Sequence, residues 1–257
     1  MGIIVEQTPL TSSAVHRLGD DMVNFYIVEE PEGLVLIDSG LPTHWGALRD
    51  HLASSGAVTG DIKAVLLTHA HPDHLGLAAR VRREAGAAVW IHSADAATLA
   101  AANPARAGAS TERSIARYLV RRPAAIGLLL HLARSGDFHP APVGDPEVFE
   151  TPTTLTRVPG APEAIPVPGH TPGSTAYVFR HHGVIFTGDA LVSYDGLTGL
   201  RGPRLVCRGF THDGASALAS LDTLAGIGSD LTVLPGHGDP MAELSPAVEE
   251  ARRAGMS

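Results

Sequence analysis

The stretch Thr68–Gly76 reads THAHPDHLG and places three imidazoles and one carboxylate within six positions. It directly follows the apolar run Ala64–Leu67, a pattern typical of a loop at the end of a buried strand. Neutral imidazole and carboxylate are ligands of zinc and related first-row ions. The spacing His-x-His-x-Asp-His offers enough ligands for two ions rather than one. The sequence therefore predicts a metal-binding loop that a strand delivers.

Three further turns carry ligands of the same kind. His170 lies in VPGHTPGS, Asp189 in IFTGDA and His237 in VLPGHG, and each turn follows an apolar run. One histidine after a strand is usually a loop or core residue, but four such loops in one chain are rarely a coincidence. The other nine histidines lack this spacing, and we assign them no ligand role: His16, His44, His51, His92, His131, His139, His181, His182 and His212.

With these four loops the chain resembles the metallo-β-lactamase-fold hydrolase superfamily over nearly its whole length. The loops look most like those of its glyoxalase II, lactonase and thioesterase members. The resemblance implies an α+β fold, a four-layer αββα sandwich of two similar halves, as a single domain over residues 1–257. The metal ligands that it implies are His69, His71 and His170 for one ion, Asp73, His74 and His237 for the other, and Asp189 as a bridge.

The function that the resemblance implies is metal-dependent hydrolysis. Two divalent ions about 3.5–4 Å apart can hold a bridging hydroxide, which attacks the substrate. We expect zinc, although a site of oxygen and nitrogen ligands also accepts Mn, Fe or Co. Asp73 would also orient the hydroxide, and Tyr194 is a candidate to reach the substrate carbonyl, as lactonase tyrosines do. Asp38 either hydrogen-bonds the histidine loop from behind or caps a turn.

The expected substrate is a small molecule with an ester, thioester or lactone bond. A glyoxalase II would continue into a helical glutathione-binding domain, whereas twenty residues follow His237, so we do not expect a glutathione thioester. Secreted β-lactamases would carry an export signal and lack the bridging Asp189. Two alternative functions remain, a β-lactamase and a persulfide dioxygenase-like oxidoreductase with a single iron. Asp73 and His74 predict a second ion and argue against the dioxygenase. A protein that binds without turnover would be expected to have lost a ligand.

Composition limits the classes of binding partner and the cellular compartment that we expect for this chain. A formal net charge of −8 disfavours nucleic acid, whose protein partners normally present a basic face. The segment Met1–Gln7 does not look like a signal peptide, and no apolar stretch has the length of a membrane span. The single cysteine, Cys207, lies outside the ligand loops and cannot form an internal disulfide. We expect a soluble cytoplasmic protein with no nucleic-acid or membrane partner; the sequence does not indicate its oligomeric state.

Strand and helix patterns predict two halves with the same plan. The first half is predicted to contain strands Met22–Val28 and Gly33–Asp38, a helix from near Pro42 to near Gly56, and strand Ile62–Leu67. The second half is predicted to contain strands Thr175–Phe179 and Gly183–Thr187, a helix at about Asp213–Ala225, and strand Leu231–Leu234.

A helical insertion at about 93–150 lies between the halves. A strand at Ala87–Ile91 and a helix from near Ser93 lead into the Ala/Gly-rich segment Ala100–Ser110, which is predicted to be a loop. Two helices, Thr111–Arg122 and Ala124–Arg134, are predicted to follow it. The second helix carries apolar residues near one face, among them Ile126, Leu129 and Leu130. These helices either pack on the domain or, as the resemblance implies, overhang the metal site as an apolar wall for the substrate.

Overall fold

Two mixed sheets and a separate hairpin contain the strands of the described residues. This computed structural model describes residues 14–101, 111–135 and 141–257. The predictions for Met1–Gln7, for most of Ala100–Ser110 and for His139 lie outside the described residues.

The six-stranded sheet is built from the first half, in the order β1-β2-β3-β4-β5-β6. Its strands are β1 Val15–Gly19, β2 Asn24–Glu30, β3 Gly33–Ile37, β4 Ile62–Leu66, β5 Ala88–His92 and β6 Glu147–Phe149. From β3 to β6 neighbouring strands are parallel. The carboxyl ends of these strands therefore share one edge of the sheet, and the histidine loop leaves β4 at that edge.

The five-stranded sheet is built from the second half, in the order β13-β10-β9-β8-β7. Its strands are β7 Thr153–Thr154, β8 Glu163–Pro166, β9 Thr175–Phe179, β10 Val184–Gly188 and β13 Thr232–Pro235. Strands β10 and β13 are parallel, whereas β8, β9 and β10 are antiparallel neighbours. The turns after β8, β10 and β13 therefore meet at one edge. The hairpin of β11 Val192–Asp195 and β12 Leu200–Arg204 stands apart.

Helices cover the outer faces of both sheets: α1 Trp45–Ser55, α3 Ala78–Ala85 and α4 Ser93–Ala100 on the first, and α7 Gly214–Ala225 and α8 Leu244–Ala254 on the second. Helix α2 Pro72–Leu75 lies in the histidine loop, and α5 Ala116–Arg121 and α6 Pro123–Arg134 belong to the insertion. One apolar cluster joins α1 and α3 to the first sheet, another fills the space between the sheets, and a third joins α7 and α8 to the second sheet. The predicted four-layer αββα sandwich is confirmed. In the described ranges, no helix combines the length and apolarity that crossing a bilayer requires.

Strand β3 shows why the strands of this fold are apolar at successive positions. Leu36 packs in the cluster on the helical side, whereas Val35 and Ile37 pack in the cluster between the sheets. Successive side chains of a strand point to opposite faces, and here both faces are buried. A continuous apolar run is therefore the expected pattern for a central strand of this sandwich.

The insertion forms a fourth apolar cluster, separate from the three of the sandwich. Tyr118 of α5 packs there with residues of α6 and with the loop residues Val23, Leu41 and Leu197. Helix α5 is shorter than the predicted Thr111–Arg122.

The predicted apolar face of α6 is wrong. The buried residues are Ala125, Leu128 and Leu132, whereas Ile126 and Leu130 are 51% and 50% exposed. The sequence of this helix is apolar on nearly every side, so its pattern does not select a face. The contacts with the loops make that selection.

Several elements had no counterpart in the sequence predictions. These are β1, β6, β7, β8, the hairpin β11–β12 and the helices α2, α3 and α8. Most of these strands are short, and β7 contains only two residues. Their apolar patterns are too brief to separate from those of loops.

Candidate metal centre

The four predicted loops converge at the edge where the strands end. Two groups of three side chains each bring their ligand atoms within 4.8 Å of one another. The groups are His69, His71 and His170, and Asp73, His74 and His237. They are the two ligand sets that the resemblance implied, so the structure brings together every residue predicted for them.

Asp189 lies between the two groups. Its Oδ2 atom is 3.3 Å from His170 Nε2 and 3.1 Å from His237 Nε2, and its Oδ1 atom is 3.5 Å from His74 Nε2. The carboxylate therefore contacts members of both groups. This is the position that a bridging ligand needs.

Several buried polar atoms in the centre have no hydrogen-bond partner. Those that face the two ligand groups are Nε2 of His69, Nε2 of His74 and Oδ1 of Asp189. A buried polar atom without a partner costs about 1–3 kcal/mol. Two imidazole nitrogens also face each other, because His170 Nε2 lies 2.8 Å from His71 Nδ1. Divalent cations would satisfy these atoms, and a donor set of nitrogen and oxygen fits zinc, manganese, iron or cobalt.

Burial keeps part of the imidazole set neutral. It lowers the pKa of His69 and of His170 well below the ordinary value, and neighbouring imidazoles lower both further. Burial also lowers the pKa of His71. Neutral imidazole is the form that binds a metal. The electrostatics of this group therefore favour ligation.

The second group carries an excess of negative charge. Burial lowers the pKa of His74, but Asp38, Asp73 and Asp189 raise it more, to about 10. Burial likewise lowers the pKa of His237, and Asp189 and Asp73 raise it to about 9. Without a metal these carboxylates attract protons to the imidazoles. A divalent cation would supply the same positive charge and displace those protons.

Asp38 holds the histidine loop from behind. Its Oδ2 atom lies 2.8 Å from His74 Nδ1, and its Oδ1 atom accepts a hydrogen bond from the Thr68 amide at 2.7 Å. The predicted contact with the histidine loop is confirmed. The carboxylate fixes the orientation of the His74 ring, so that Nε2 faces the centre.

Asp95, at the start of α4, is a site residue that sequence reasoning missed. Its Oδ2 atom accepts hydrogen bonds from the Ala70 amide at 3.0 Å and the Thr171 hydroxyl at 2.7 Å. Its Oδ1 atom accepts one from the Gly173 amide at 2.8 Å. Asp95 thus fastens the loop of His69 to the loop of His170. The only signal in the sequence is one acidic residue in an otherwise apolar helix start.

Asn24 is a second missed residue, and it supports His237. Its side-chain amide donates to the carbonyls of Pro235 at 2.9 Å and Gly238 at 2.7 Å, on either side of the histidine. His237 Nδ1 lies within hydrogen-bond distance of the Met22 carbonyl. When Nδ1 carries the proton and donates to that carbonyl, Nε2 is left to face the centre.

Tyr194 lies beside the His237 turn. The amide of the preceding residue, Ser193, donates to the His237 carbonyl at 3.2 Å. The Tyr194 ring lies 4.8 Å from the Arg201 guanidinium, a cation–π contact across the β11–β12 hairpin. The structure thus places Tyr194 near one predicted metal ligand, His237, and the catalytic role of Tyr194 stays a prediction.

Known relatives match much of the chain. A family model described as the metallo-beta-lactamase superfamily matches residues 18–237. A probable metallo-hydrolase of Bacillus subtilis (strain 168), YflN, is 28% identical over 247 residues, which span 90% of this chain and 86% of the relative. An uncharacterized protein of the same organism, YobT, is 28% identical over 169 residues, or 65% of this chain and 61% of the relative.

Solved structures share the fold at low identity. TTHA1429 from Thermus thermophilus, a metallo-beta-lactamase family protein, superposes with a TM-score of 0.66 at 24% identity, over 95% of this chain and 79% of its own. TTHA1623 in a di-iron-bound form superposes with a TM-score of 0.58 at 24% identity, over 94% of both chains. BJP-1 of Bradyrhizobium japonicum, a subclass B3 metallo-beta-lactamase, superposes with a TM-score of 0.64 at 20% identity, over 94% of this chain and 89% of its own. Because the family model spans all four ligand loops, this chain belongs to the metallo-beta-lactamase superfamily.

Proposed function

We propose that this chain is a hydrolase that uses two divalent ions, preferably zinc, to cleave an ester, thioester or lactone bond in a small molecule. The observation that carries the proposal is the pair of ligand groups with Asp189 between them. The relative YflN, named a probable metallo-hydrolase, supports the reaction class. TTHA1623, solved with two irons, keeps iron among the candidate metals.

Two ions in these groups would make a water molecule nucleophilic at neutral pH. The residues of the chain orient that water and accept its proton. The side chain of Asp73 is 17% exposed, whereas that of Asp189 is 5% exposed. Asp73 is therefore the carboxylate more open to the cleft. We assign to it the orientation of the attacking water and the acceptance of its proton.

We assign to Tyr194 the contact with the substrate carbonyl. It lies beside the turn of His237 and pairs with Arg201 near the turn of the β11–β12 hairpin. Its phenol would donate a hydrogen bond to the carbonyl oxygen as negative charge develops there. Tyr194→Phe should lower kcat by about tenfold or more without changing the metal content, as expected for a lost hydrogen-bond donor.

The insertion lies next to the His237 side of the centre. Helices α5 and α6 pack on Val23 and Leu41, and the residue before Val23 provides the carbonyl next to His237. His131 of α6 also lies 2.9 Å from Asp20, whose carboxylate accepts hydrogen bonds from the amides that precede β2. We therefore propose that the insertion is one wall of the substrate cleft and sets substrate preference.

Deletion of residues 111–134 tests this wall. We expect a higher KM or an altered acyl-chain preference with unchanged metal content, the signature of lost binding rather than lost chemistry. A deletion that only lowers the melting temperature would instead assign the insertion to stability, and the cleft would then be sought around Tyr194–Arg208.

Metal analysis with a substrate panel tests the whole proposal. The protein should hold about two equivalents of metal and hydrolyse an ester, thioester or lactone. Asp189→Asn should abolish this activity, and His51→Ala, which changes a histidine outside the centre, should not. One iron with oxygen uptake would favour a dioxygenase, hydrolysis of a β-lactam a β-lactamase, and metal without turnover a binding role.

A further inference from the structure

A second group of metal-ligating side chains lies outside the candidate metal centre. Glu30, His181 and His182 bring their ligand atoms within 4.8 Å of one another. Glu30 is the last residue of β2, and the two histidines lie in the turn between β9 and β10. Asn24, beside His237, begins the same strand, which places this group roughly 20 Å from the metal centre at the usual strand rise. The group therefore joins the two sheets at the opposite edge of the sandwich.

Both imidazoles point to the same carboxylate oxygen. His181 Nε2 lies 2.8 Å and His182 Nε2 3.0 Å from Glu30 Oε1. The two rings are 4.2 Å apart and tilted by 46°. Two imidazole nitrogens and one carboxylate converging in this way form a donor set that zinc uses when a fourth position is left for water.

The charge of Glu30 calls for a cation. Its side chain is 5% exposed, and its ion-pair partners among the described residues are the two histidines. Arg180, the adjacent base, is engaged by Glu163 at 2.9 Å. A buried carboxylate needs positive charge close by. If both imidazoles are neutral, a metal ion supplies that charge.

The surroundings fix the carboxylate and leave the ion a path. Gly160 has a φ of +74°, and a Cβ there would collide with the Glu30 carboxylate, so the backbone packs directly on that group. On the other side, the side chain of His181 is 48% exposed and that of His182 is 13% exposed. The group is therefore held on one side and open to solvent on the other.

We propose that Glu30, His181 and His182 form an additional site for a divalent first-row ion of the zinc class. Bound there, the ion fastens the β9–β10 turn of the second sheet to the end of β2 in the first sheet. Its role is structural, because the site lies at the edge opposite the candidate metal centre. A water molecule completes the coordination on the exposed side of His181.

A neighbouring group provides a matched control. His16, Glu29 and His51 have the same composition, and Glu29 precedes Glu30 in the chain. There, however, the carboxylate side chain is 42% exposed and, within the described ranges, its ion pair is with His16, at 2.9 Å. The His51 ring is 4.7 Å from the ring of His16. Water can solvate this exposed carboxylate, so Glu29 does not need a cation beside it.

Zinc counting in the full chain tests the site. Wild type, Glu30→Gln, His182→Ala and the control His51→Ala are stripped with a chelator, reloaded with zinc chloride, desalted and analysed for metal. We expect Glu30→Gln and His182→Ala to carry one zinc per chain fewer than wild type and to keep full hydrolase activity. His51→Ala should match wild type. Equal zinc in all four proteins, or an equal loss in His51→Ala, would overturn the proposal.

A second measurement covers the case in which those variants fold poorly. His181→Ala changes a half-exposed side chain, and zinc affinity at this site should fall by about a hundredfold, at least as much as outer-sphere changes cost. In the Asp189→Asn background, where the main centre is impaired, zinc should still raise the melting temperature, and adding His181→Ala should remove that rise. The absence of a rise in Asp189→Asn, or an equal rise with His181→Ala, would refute the additional site whatever the main centre binds.

Discussion

The two halves of the sandwich supply the candidate metal centre in different ways. The first half contributes His69, His71, Asp73 and His74 from one loop after β4. The second half contributes its three residues from three separate turns, after β8, β10 and β13. The spacing of the first set is therefore fixed by local sequence, and the spacing of the second set by the register of a sheet. The second set consequently needs support from outside its own turns.

That support comes from the first half. Asp95 binds the turn after His170, and Asn24 binds both sides of His237. The Thr175 amide also donates to the Thr68 carbonyl at 2.9 Å, and the Tyr177 hydroxyl to the Leu67 carbonyl at 2.9 Å. The half with the compact loop thus positions the ligands of the half with the dispersed turns.

The largest expected effect is that of removing the bridge. Asp189→Asn should deplete both ions, because the carboxylate contacts both ligand groups. Asp73→Ala, in the compact loop, should deplete mainly the second ion. Activity should fall by about a hundredfold or more in each variant, above the cost of an outer-sphere change. Metal content measured on both variants checks this.

The outcome separates the roles of the two halves. Full metal occupancy in Asp189→Asn would remove this residue from the bridge. Equal depletion in both variants would mean that the compact loop and the dispersed turns form a single unit.

Loss of the Asp95 carboxylate, which joins the loops of His69 and His170, should have the next largest effect. Asp95→Ala leaves three donors of the two loops without their acceptor. At about 1–3 kcal/mol for each unsatisfied group, partly relieved by water, we expect the free energy of unfolding to fall by about 3 kcal/mol. Metal affinity should fall by about 10- to 100-fold. Urea unfolding and a chelator competition provide the two measurements.

The matched variant is Asp95→Asn. It keeps one acceptor oxygen, so its free energy of unfolding and its metal affinity should fall less than those of Asp95→Ala. Wild-type stability and metal affinity in Asp95→Ala would show that the His69 and His170 loops hold their positions independently.

A smaller effect is expected at Asn24. Asn24→Ala removes two buried hydrogen bonds that flank His237, which should lower the free energy of unfolding by about 2 kcal/mol. Metal loss should be confined to the ion held by His237. Arg17→Ala is the comparison, because Arg17 donates to the side-chain oxygen of Asn24 at 2.9 Å and to Asp239 at 3.2 Å but leaves the two hydrogen bonds from the Asn24 amide to Pro235 and Gly238 in place. If Arg17→Ala loses as much metal, the amide of Asn24 is not the support.

The smallest effect is pH-dependent and concerns the attachment of the insertion. Burial raises the pKa of Asp20, but hydrogen bonds from His44 and the Met22 amide lower it more, from 3.8 to about 2. Asp20 therefore stabilises the folded state above pH 3.8, and this stabilisation disappears as the pH falls to about 2. Allowing for partial exposure, we expect it to be about 1–2 kcal/mol.

Acid unfolding of wild type and Asp20→Asn measures the stabilisation that the Asp20 carboxylate provides. The difference between the two proteins should shrink steadily between about pH 5 and pH 2, on the scale set by linkage. A difference that stays constant over this window would mean that the charge of Asp20 does not contribute.

The sequence predicted the parts of the centre that are local. The histidine loop, the turns of His170, Asp189 and His237, and the strands before them carry short-range patterns. Asp95 and Asn24 could not be found in this way, because their partners lie 76 and 211 residues away in the chain.

Long-range pairing explains the other omissions as well. His181 and His182 were assigned no role, since their partner Glu30 is 151 or 152 residues away. The face of α6 was wrong because loops distant in sequence, and not the helix itself, select Leu128 and Leu132 for burial.

The separate apolar cluster of the insertion bears on how such a protein can change. Helices α5 and α6 meet the rest of the chain chiefly through loop residues such as Val23, Leu41 and Leu197, and none of these belongs to the three clusters of the sandwich. A helical pair of different length or polarity therefore has to match only a few loop positions. Evolution or protein design could therefore replace this helical pair, and with it one wall of the proposed substrate cleft, without changing the sequences of the two sheets that position the candidate metal centre.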